Sequence, residues 1–415
     1  SSSSSGPEIT SFTAGSSTVA IGGSTTLTAV FSGGTGTVDQ GVGTVTSDTP
    51  VTILPGADTT YTLTVAGGSG ATATASVSIQ VAYSGIFNAT GSMSTDRLYH
   101  AAALLQNGKV LVIGGYTGGT YLASAELYDP ATGVFSATGS MSTARDYASA
   151  TILADGKVLV AGGYNTGGYV ASAEIYDPAT GAFSTTGSMI TARGMHTATL
   201  LANGKVLVAG GTAFGIANAE VYDPAVGTFA SVGSMNYSRT FHTATLLPSG
   251  KVLLAGGYGG GMHLSSAELF DPTTGGFTST GTMTTARNLA TATLLENGGV
   301  LVAGGIYNTT PLASAEIYNP ATGSFTATGS MATARLGHTA TLLGDGKVLL
   351  AGGGGTGTFY ASAERYDAAA GTFTATGSMS TARMYATATL LANGKVLVLG
   401  GTQASGDLAS ADLYR

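Results

Sequence analysis

One segment recurs seven times along the chain at an almost constant spacing. Copies of Gly-Ser-Met-Ser-Thr-Ala-Arg and its variants begin at Gly91, Gly139, Gly187, Gly233, Gly281, Gly329 and Gly377. Consecutive starts lie 48 residues apart, except for one interval of 46. A period of this length indicates a repeat protein, in which each unit buries its apolar surface only against its neighbours.

Each repeat predicts four antiparallel strands. An arginine is followed by an alternating run, a tight turn, a Val-Leu-Val run closed by Gly-Gly, a variable loop, and then Ala-Glu-Leu-Tyr-Asp-Pro or a variant, a Gly turn and a Phe. The tight turns need positive φ, which their Asn-Gly-like pairs supply: Asn107-Gly108, Asp155-Gly156, Asn203-Gly204, Ser249-Gly250, Asn297-Gly298, Asp345-Gly346 and Asn393-Gly394. The Asp-Pro turns combine a fixed φ with an Asp side chain that bonds its own backbone.

The composition supports an all-β fold and excludes several functions. Charged residues make up 9% of the 415 residues, 65 are glycine and 43% are hydrophobic, which disfavours both helical and disordered chains. A net charge of -7 without a basic face argues against nucleic acid and anionic membranes as partners. The absence of Cys removes disulfides, thiolate metal sites, cysteine nucleophiles and iron-sulfur clusters.

The beginning of the chain suggests export. No apolar run approaches the roughly 18 residues needed to span a membrane, and runs such as 109–113 end at glycine pairs. Residues 1–6 form a Ser-rich leader that lacks Met. This leader resembles the tether of exported bacterial proteins, including lipoproteins. The resemblance implies an extracellular or cell-surface location and leaves open a lipid tether upstream of Ser1.

Residues 86–415 resemble the kelch repeat, on the Gly pair, the Tyr-Asp-Pro turn, the downstream aromatic residue and the arginine. The resemblance implies a seven-bladed kelch-type β-propeller. Phe stands where kelch repeats usually carry Trp. The last repeat contains only three strands, whereas an extra strand within 86–93 precedes the first repeat. We expect these ends to pair, because closing the ring removes two open sheet edges.

Residues 7–83 form a separate N-terminal domain. Four runs alternate with period two and are separated by Gly clusters, namely 9–12, 24–31, 60–65 and 75–81. This pattern predicts a small β-sandwich. Its sequence resembles the immunoglobulin-like domains of bacterial surface proteins, which implies a spacer.

Two charged series accompany the repeats and predict ion pairs. The acidic series lies on a strand expected to pack against neighbouring repeats on both faces, where a Glu without a partner would be too costly. We therefore expect each repeat arginine to pair with a carboxylate, within or between repeats. The residues are Arg97, Arg145, Arg193, Arg239, Arg287, Arg335 and Arg383 with Glu126, Glu174, Glu220, Glu268, Glu316, Glu364 and Asp412.

Two zones vary between repeats and are predicted to bind a partner. They are the two residues after each repeat arginine and the loop after each Gly-Gly. In a four-stranded antiparallel unit, the connection between strands two and three and the connection to the next unit emerge on the same side. Both variable zones therefore lie on one face, which we call the variable face, and the tight turns lie on the opposite face, which we call the turn face. Rigid aromatic side chains among small polar residues are typical of contact surfaces. The candidates are Tyr99, Tyr116, Tyr121, Tyr147, Tyr164, Tyr169, Phe241, Tyr258, His263, Tyr307, Tyr360 and Tyr385.

Four histidines, His100, His196, His242 and His338, follow the repeat arginines by three residues. They favour a structural role over a pH-sensitive contact or a metal site, because only His196 and His242 belong to adjacent repeats. No metal, cofactor or catalytic residue is predicted. The copper-radical oxidases that resemble galactose oxidase need a Cys crosslinked to a Tyr, and this chain has no Cys.

These observations favour a secreted, non-catalytic bacterial surface protein that contacts proteins or glycans. Low charge density and abundant small residues also suit self-assembly of copies into an extracellular filament, to which a leading extended segment could add a strand. The alternative is an extracellular polysaccharide-active enzyme using Asp96, Asp146, His100 and His196. Two carboxylates about 5 to 10 Å apart across a cleft would support that alternative.

Overall fold

A computed structural model describes residues 6–68 and 70–415. The Ser-rich leader therefore lies outside the described residues except for Gly6. The N-terminal part contains eight strands: β1 (Glu8–Ala14), β2 (Thr18–Ala20), β3 (Thr25–Ser32), β4 (Thr35–Val38), β5 (Gly43–Val45), β6 (Val51–Ile53), β7 (Thr59–Ala66) and β8 (Thr72–Ala82). They form two sheets, β1-β3-β6 and β2-β8-β7-β4-β5. The sequence had indicated the four longest of these strands, whereas the three- and four-residue strands were too short to detect.

The rest of the chain is a succession of short strands. The first are β9 (Phe87–Ala89), β10 (Ala101–Leu104), β11 (Val110–Ile113), β12 (Tyr116–Thr117), β13 (Thr120–Tyr121), β14 (Ala125–Asp129), β15 (Val134–Ala137), β16 (Ser149–Ile152), β17 (Val158–Ala161), β18 (Tyr164–Asn165), β19 (Gly168–Tyr169), β20 (Ala173–Asp177), β21 (Ala182–Thr185), β22 (Thr197–Leu200), β23 (Val206–Ala209), β24 (Ala219–Asp223) and β25 (Thr228–Ser231). No helix long and apolar enough to cross a membrane occurs among the described residues.

The later strands repeat this order. They are β26 (Thr243–Leu246), β27 (Val252–Ala255), β28 (Tyr258–Gly259), β29 (Met262–His263), β30 (Ala267–Asp271), β31 (Gly276–Ser279), β32 (Thr291–Leu294), β33 (Val300–Ala303), β34 (Ile306–Tyr307), β35 (Thr310–Pro311), β36 (Ala315–Asn319), β37 (Ser324–Ala327), β38 (Thr339–Leu342), β39 (Val348–Ala351), β40 (Gly354–Gly355), β41 (Thr358–Phe359), β42 (Ala363–Asp367), β43 (Thr372–Thr376), β44 (Thr387–Leu390), β45 (Val396–Leu399), β46 (Thr402–Gln403), β47 (Gly406–Asp407) and β48 (Ala411–Tyr414).

The described part of the chain from β9 onward forms seven four-stranded antiparallel sheets, here called repeat sheets 1 to 7. In order they are β10-β11-β14-β15, β16-β17-β20-β21, β22-β23-β24-β25, β26-β27-β30-β31, β32-β33-β36-β37, β38-β39-β42-β43 and β44-β45-β48-β9. The first strand of each sheet contacts the first strand of the next, and β44 contacts β10. The sheets therefore stand in a closed ring with their first strands innermost.

The ring is joined where the N-terminal and C-terminal segments meet. Strand β9 pairs with β48 in the register Phe87 with Tyr414 and Ala89 with Asp412. Ile86 and Arg415 exchange two backbone hydrogen bonds of 3.0 and 3.2 Å just beyond this ladder. Repeat sheet 7 thus takes its outer strand from the start of the repeat region, and no open sheet edge is left between the two ends.

Cores lie between neighbouring sheets. Between repeat sheets 2 and 3, for example, Leu159, Val206 and Val208 are fully buried, and each such side chain contributes about 1.5–3 kcal/mol. A hydroxyl pair links neighbouring sheets in six places, as from Thr186 to Tyr222 over 2.8 Å. At the seventh place both hydroxyls are absent, because Val232 and Phe270 replace the pair and leave no polar group unsatisfied.

The N-terminal part packs against the turn face at repeat sheets 6 and 7. The Tyr83 hydroxyl accepts from Gly344 N over 3.0 Å and donates to Gly394 O over 2.8 Å, and Asp58 N donates to Gly344 O over 2.8 Å. Arg365 covers the Tyr83 ring and pairs with Asp345. This docking leaves the variable face uncovered by the N-terminal part.

Candidate binding face

Both variable zones lie on one face, because they hydrogen-bond to each other. The residue after the repeat arginine forms an antiparallel bridge with the first residue of the loop after Gly-Gly: Leu98 with Tyr116, Asp146 with Tyr164, Thr240 with Tyr258, Asn288 with Ile306, Leu336 with Gly354 and Met384 with Thr402. In six repeats this loop is a two-stranded hairpin. Repeat sheet 3 lacks the hairpin because its loop is two residues shorter.

A ring of left-handed residues surrounds the axis. Tyr99, Tyr147, Met195, Phe241, Leu289, Gly337 and Tyr385 all have φ between 49° and 59°. Each one after Tyr99 donates its backbone N–H to the carbonyl of the preceding member, over 2.9 to 3.4 Å. Residues at the same position of successive repeats can touch only where the sheets converge. These seven residues, which we call the central ring, therefore close the axis. Six members accept a left-handed conformation that ordinarily favours glycine.

Aromatic side chains of the central ring pack together. The ring centroids of Tyr99 and Tyr147 are stacked 4.0 Å apart, and Tyr385 lies 4.9 Å from Tyr99. Phe241 contacts Tyr147 edge-on at 5.9 Å. Burial raises the pKa of Tyr385 to about 12. These four predicted binding residues therefore plug the centre of the face, half-buried, rather than standing freely in solvent.

A second group of predicted residues forms a row across repeat sheets 1 and 2. Tyr116, Tyr121, Tyr164 and Tyr169 follow one another edge-to-face with centroid distances of 5.1, 6.0 and 5.1 Å. We call these four residues the aromatic row. Each ring remains partly exposed, so the row offers aromatic surface at little further cost in side-chain entropy.

The remaining candidates lie elsewhere on the same face. His263 stands between Tyr258 and Tyr307, with centroid distances of 5.4 and 5.7 Å. Tyr360 packs against the Arg335 guanidinium at 5.7 Å and accepts a hydrogen bond from Thr358. The structure thus divides the predicted residues into the central ring, the aromatic row, the His263 group and an isolated Tyr360.

Asp146 lies between the central ring and the aromatic row. Its side chain is buried, and its Oδ1 atom has no hydrogen-bond partner among the described residues. Burial raises the pKa of Asp146 to about 7. Burial also raises the pKa of Tyr99, Tyr121 and Tyr147, and the nearby Asp146 carboxylate raises each of them further. The carboxylate is therefore within electrostatic range of three phenol groups.

Charge is distributed unevenly between the two faces. The variable face carries Asp96, Asp146 and Asp407, on repeat sheets 1, 2 and 7. Among the described residues no lysine or arginine forms a salt bridge with them. Seven arginines are buried with their carboxylates, and five lysines pair with Asp on the turn face at 2.8 to 3.4 Å. Lys395, Arg365 and Arg415 lie beside the N-terminal part.

The predicted ion-pair residues sit beneath the variable face and fix its loops. In each repeat the arginine Nη2 lies 2.7 to 3.1 Å from the carboxylate of the same repeat. Arg145 Nη1 also donates to Gly162 O and Ser172 O at the two ends of the hairpin loop. The second carboxylate oxygen of Glu174 accepts from Ser142 N, in the segment entering from the previous sheet. Each pair thus joins the hairpin to the sheet connection.

The four histidines act between sheets. The Nε2 atoms of His100, His196, His242 and His338 lie 2.9 to 3.0 Å from hydroxyls of the preceding sheet, on Thr387, Ser149, Thr197 and Thr291. Burial lowers the pKa of His100, His196 and His338 to about 3. His100 and His196, which the enzymatic alternative would use, thus each have a hydroxyl partner on the preceding sheet. In the described part of the chain no three His, Asp or Glu residues cluster as metal ligands.

Open grooves occur on the turn face between neighbouring sheets. Three of them, of about 310, 290 and 450 Å³, are lined by the same turn positions in successive repeats, as by Asn107, Asp155 and Asp177. Their recurrence follows from the repeated framework, so they do not single out a specific site.

Two exposed apolar residues of the variable face were missed by the sequence analysis. Phe214 is 79% exposed in the short loop of repeat sheet 3, and Met262 is 63% exposed in the hairpin of repeat sheet 4. The Tyr169 hydroxyl contacts the backbone at Ala213, which places Phe214 beyond the end of the aromatic row. The signal was available, because Phe214 lies in the one loop whose length differs.

The sequence matches the Kelch motif over residues 97–142 and 147–190. This match and the repeated four-stranded sheets fit a kelch β-propeller. A novel fungal alcohol oxidase with catalytic diversity among the AA5 family, solved in complex with copper, is similar to this chain with a TM-score of 0.66 and 19% identity. The alignment covers 79% of this chain and 75% of the oxidase. At that identity the similarity shows the fold alone. No curated protein matches the sequence.

Proposed function

We propose that the chain is an extracellular, non-catalytic interaction protein of the bacterial cell surface, a seven-bladed kelch propeller preceded by an immunoglobulin-like spacer. Its variable face contacts another protein or a glycan. The observation that carries this proposal is the docking of the N-terminal part on the turn face, through Tyr83, Gly344 and Gly394. It leaves the aromatic row, the central ring and the acidic residues together on the free face.

The arrangement of side chains supports contact rather than catalysis. The repeat arginines, their paired carboxylates and the four histidines have structural partners. Among the described residues of the variable face, Asp146 is the carboxyl group whose pKa is strongly raised. The aromatic row supplies rigid rings of the kind that dominate binding energy in protein interfaces. Kelch repeats are also typical of protein-interaction propellers.

A binding assay on cells of the source organism tests this function. Tyr121→Asp combined with Tyr164→Thr removes two rings of the aromatic row, and each replacement is the residue at the same position of repeat sheet 7, Asp407 and Thr402. We expect fluorescently labelled protein to bind the cell surface about tenfold less tightly after this change. The matched control is Val226→Asp on the turn face, where Val226 is exposed.

Unchanged binding by the double variant, or equal loss in the Val226→Asp control, would refute the use of the variable face. Fractionation of the producing cells tests the location separately. Protein confined to the cytoplasm would refute an extracellular role.

Self-assembly is the more specific form of this proposal. A contact between the variable face of one copy and a different surface of the next is heterologous, and such contacts propagate into filaments when they do not close. Electron microscopy of the purified full chain at rising concentration tests it. Filaments lost in the double variant support self-assembly, whereas isolated particles at every concentration refute it.

A further inference from the structure

Asp146 is a buried carboxylate that forms no salt bridge with any of the described residues. It is 5% exposed, its Oδ1 atom lacks a hydrogen-bond partner, and no lysine or arginine of the described residues pairs with it. A buried charge without a partner reduces stability. The scaffold does not require it, because equivalent positions carry Leu98, Thr240 and Asn288.

Three tyrosine rings lie within electrostatic range of this carboxylate. Tyr99 and Tyr147 stack on the axial side, and Tyr121 lies within electrostatic range of the carboxylate from the neighbouring hairpin. The negative faces of aromatic rings attract ammonium groups, most strongly where water is excluded. An acid among tyrosine rings therefore combines two sources of attraction for the same kind of ligand.

We propose that Asp146, Tyr99, Tyr121 and Tyr147 form a binding site for a primary ammonium group, the lysine side chain of a partner protein. The proposal rests on the proposed function, because it takes the variable face as the contact surface. Asp96 on repeat sheet 1 and Asp407 on repeat sheet 7 add negative charge to the same face, and no described lysine or arginine forms a salt bridge with either of them. A neutral glycan would gain nothing from this excess of acid, whereas a lysine is attracted to it.

The pH dependence of the site follows from the groups that face Asp146. Tyr99, Tyr121 and Tyr147 have raised pKa values and stay neutral, while Arg145 beneath them is neutralised by Glu174. Asp146, with its pKa near 7, is the group that titrates. A lysine ammonium stays charged throughout this range because its pKa is about 10.4. Binding should therefore strengthen about tenfold from pH 6 to pH 8, as Asp146 ionises.

The test is calorimetric titration of the full chain with Nα-acetyl-lysine methylamide. The matched variant is Asp146→Asn, since Asn288 occupies the same position in repeat sheet 5, and its unfolding midpoint verifies that it folds. Controls are the Nε-acetylated probe, which lacks the charge, and n-butylamine, which has a single ammonium group without the peptide. Stronger binding of the lysine probe than of n-butylamine assigns the site to a protein partner, and equal binding assigns it to a free amine.

We expect saturable binding of the lysine probe that weakens at least tenfold in Asp146→Asn and disappears on Nε-acetylation. Absence of binding by the folded wild-type protein at millimolar probe, or equal binding by the Asn variant, would overturn the ammonium site. Such a failure would leave the cell-binding result for Tyr121→Asp/Tyr164→Thr unaffected. If the Tyr121→Asp/Tyr164→Thr variant binds cells as tightly as the wild type, the proposed function is refuted instead.

Discussion

Arg239 and Glu268 form an ion pair with an Nη2–Oε1 distance of 2.7 Å, and neither side chain has measurable exposure to solvent. Both members of the pair also bind backbone groups. Arg239 Nη1 donates to Gly256 O over 2.8 Å, and Glu268 accepts from Asn236 N over 2.7 Å. The pair therefore ties the hairpin loop of repeat sheet 4 to the segment that enters from repeat sheet 3.

Removing the charge of Glu268 should destabilise the protein strongly. We expect Glu268→Gln to lower the free energy of unfolding by about 3 to 5 kcal/mol, because it leaves Arg239 buried without a counter-charge. Glu268→Asp is the matched control, since Asp412 pairs with Arg383 at the same position. Chemical denaturation measures both. A loss below about 1 kcal/mol for the Gln variant would contradict the structural role of the pair.

The histidines between sheets should make the fold sensitive to acid. Their folded pKa is about 3 for His100, His196 and His338, below the usual 6.5, so the unfolded state takes up protons first as pH falls. Their contribution to the free energy of unfolding is complete above pH 6.5 and is lost as the pH falls toward 3. By pH 5 each histidine has lowered the free energy of unfolding by about 2 kcal/mol.

The control replaces these three histidines by Ala, which stands at the same position in the other repeats as Ala148, Ala290 and Ala386. Thermal unfolding between pH 5 and pH 7 should show a shallower pH dependence in this triple variant, even though it loses three hydrogen bonds. Parallel curves for the two proteins would show that these histidines do not titrate as described.

Asp146 should have the opposite effect on stability. The folded pKa of Asp146, about 7, lies above the usual 3.8. Its contribution to the free energy of unfolding is therefore complete below pH 3.8 and is lost as the pH rises to 7. Asp146→Asn should therefore become more stable than the wild type over that range, by up to about 1.4 kcal/mol per pH unit. Chemical denaturation at pH 4 and pH 7 checks this. An equal difference between the two proteins at both pH values would mean that Asp146 ionises normally.

The N-terminal part docks on residues that differ from those at the same position of the other repeats. Gly344 stands where repeat sheet 5 has Glu296, and a side chain at 344 would collide with Gly56 and Ala57. We expect Gly344→Glu to release the N-terminal part without unfolding the ring, and to speed limited proteolysis of residues 82–85 about tenfold. The matched control is Ala154→Glu, at the same position of repeat sheet 2, where the side chain is exposed. Equal cleavage rates in both variants would contradict the docking.

The sequence predicted the all-β class because its composition and its turn patterns both indicate short strands, and its resemblance to the kelch repeat implied the propeller architecture. It also indicated which side chains would lie on the variable face. It did not predict that Tyr99, Tyr147, Phe241 and Tyr385 plug the axis. That placement depends on a left-handed backbone at each residue, and hydrophobic patterns carry no information about the sign of φ.

The docking and the isolated Asp146 were also beyond the sequence. Arg365 stands where the other repeats carry an apolar residue such as Leu127 or Ile317, yet its partner Tyr83 is distant in the chain. Nothing in the local sequence around Asp146 distinguishes a carboxylate with a cation beside it from one without. Such features arise from tertiary contacts that occur in a single repeat, so a comparison between repeats does not reveal them.

Photo-crosslinking tests the central claim, that the variable face is the recognition surface, most directly. A benzoylphenylalanine at position 121 lies in the aromatic row, and one at position 226 lies on the turn face. Each full-length protein is applied to cells of the source organism and irradiated. The account predicts a discrete crosslinked species from position 121 and none from position 226. Crosslinking from position 226 alone would contradict it.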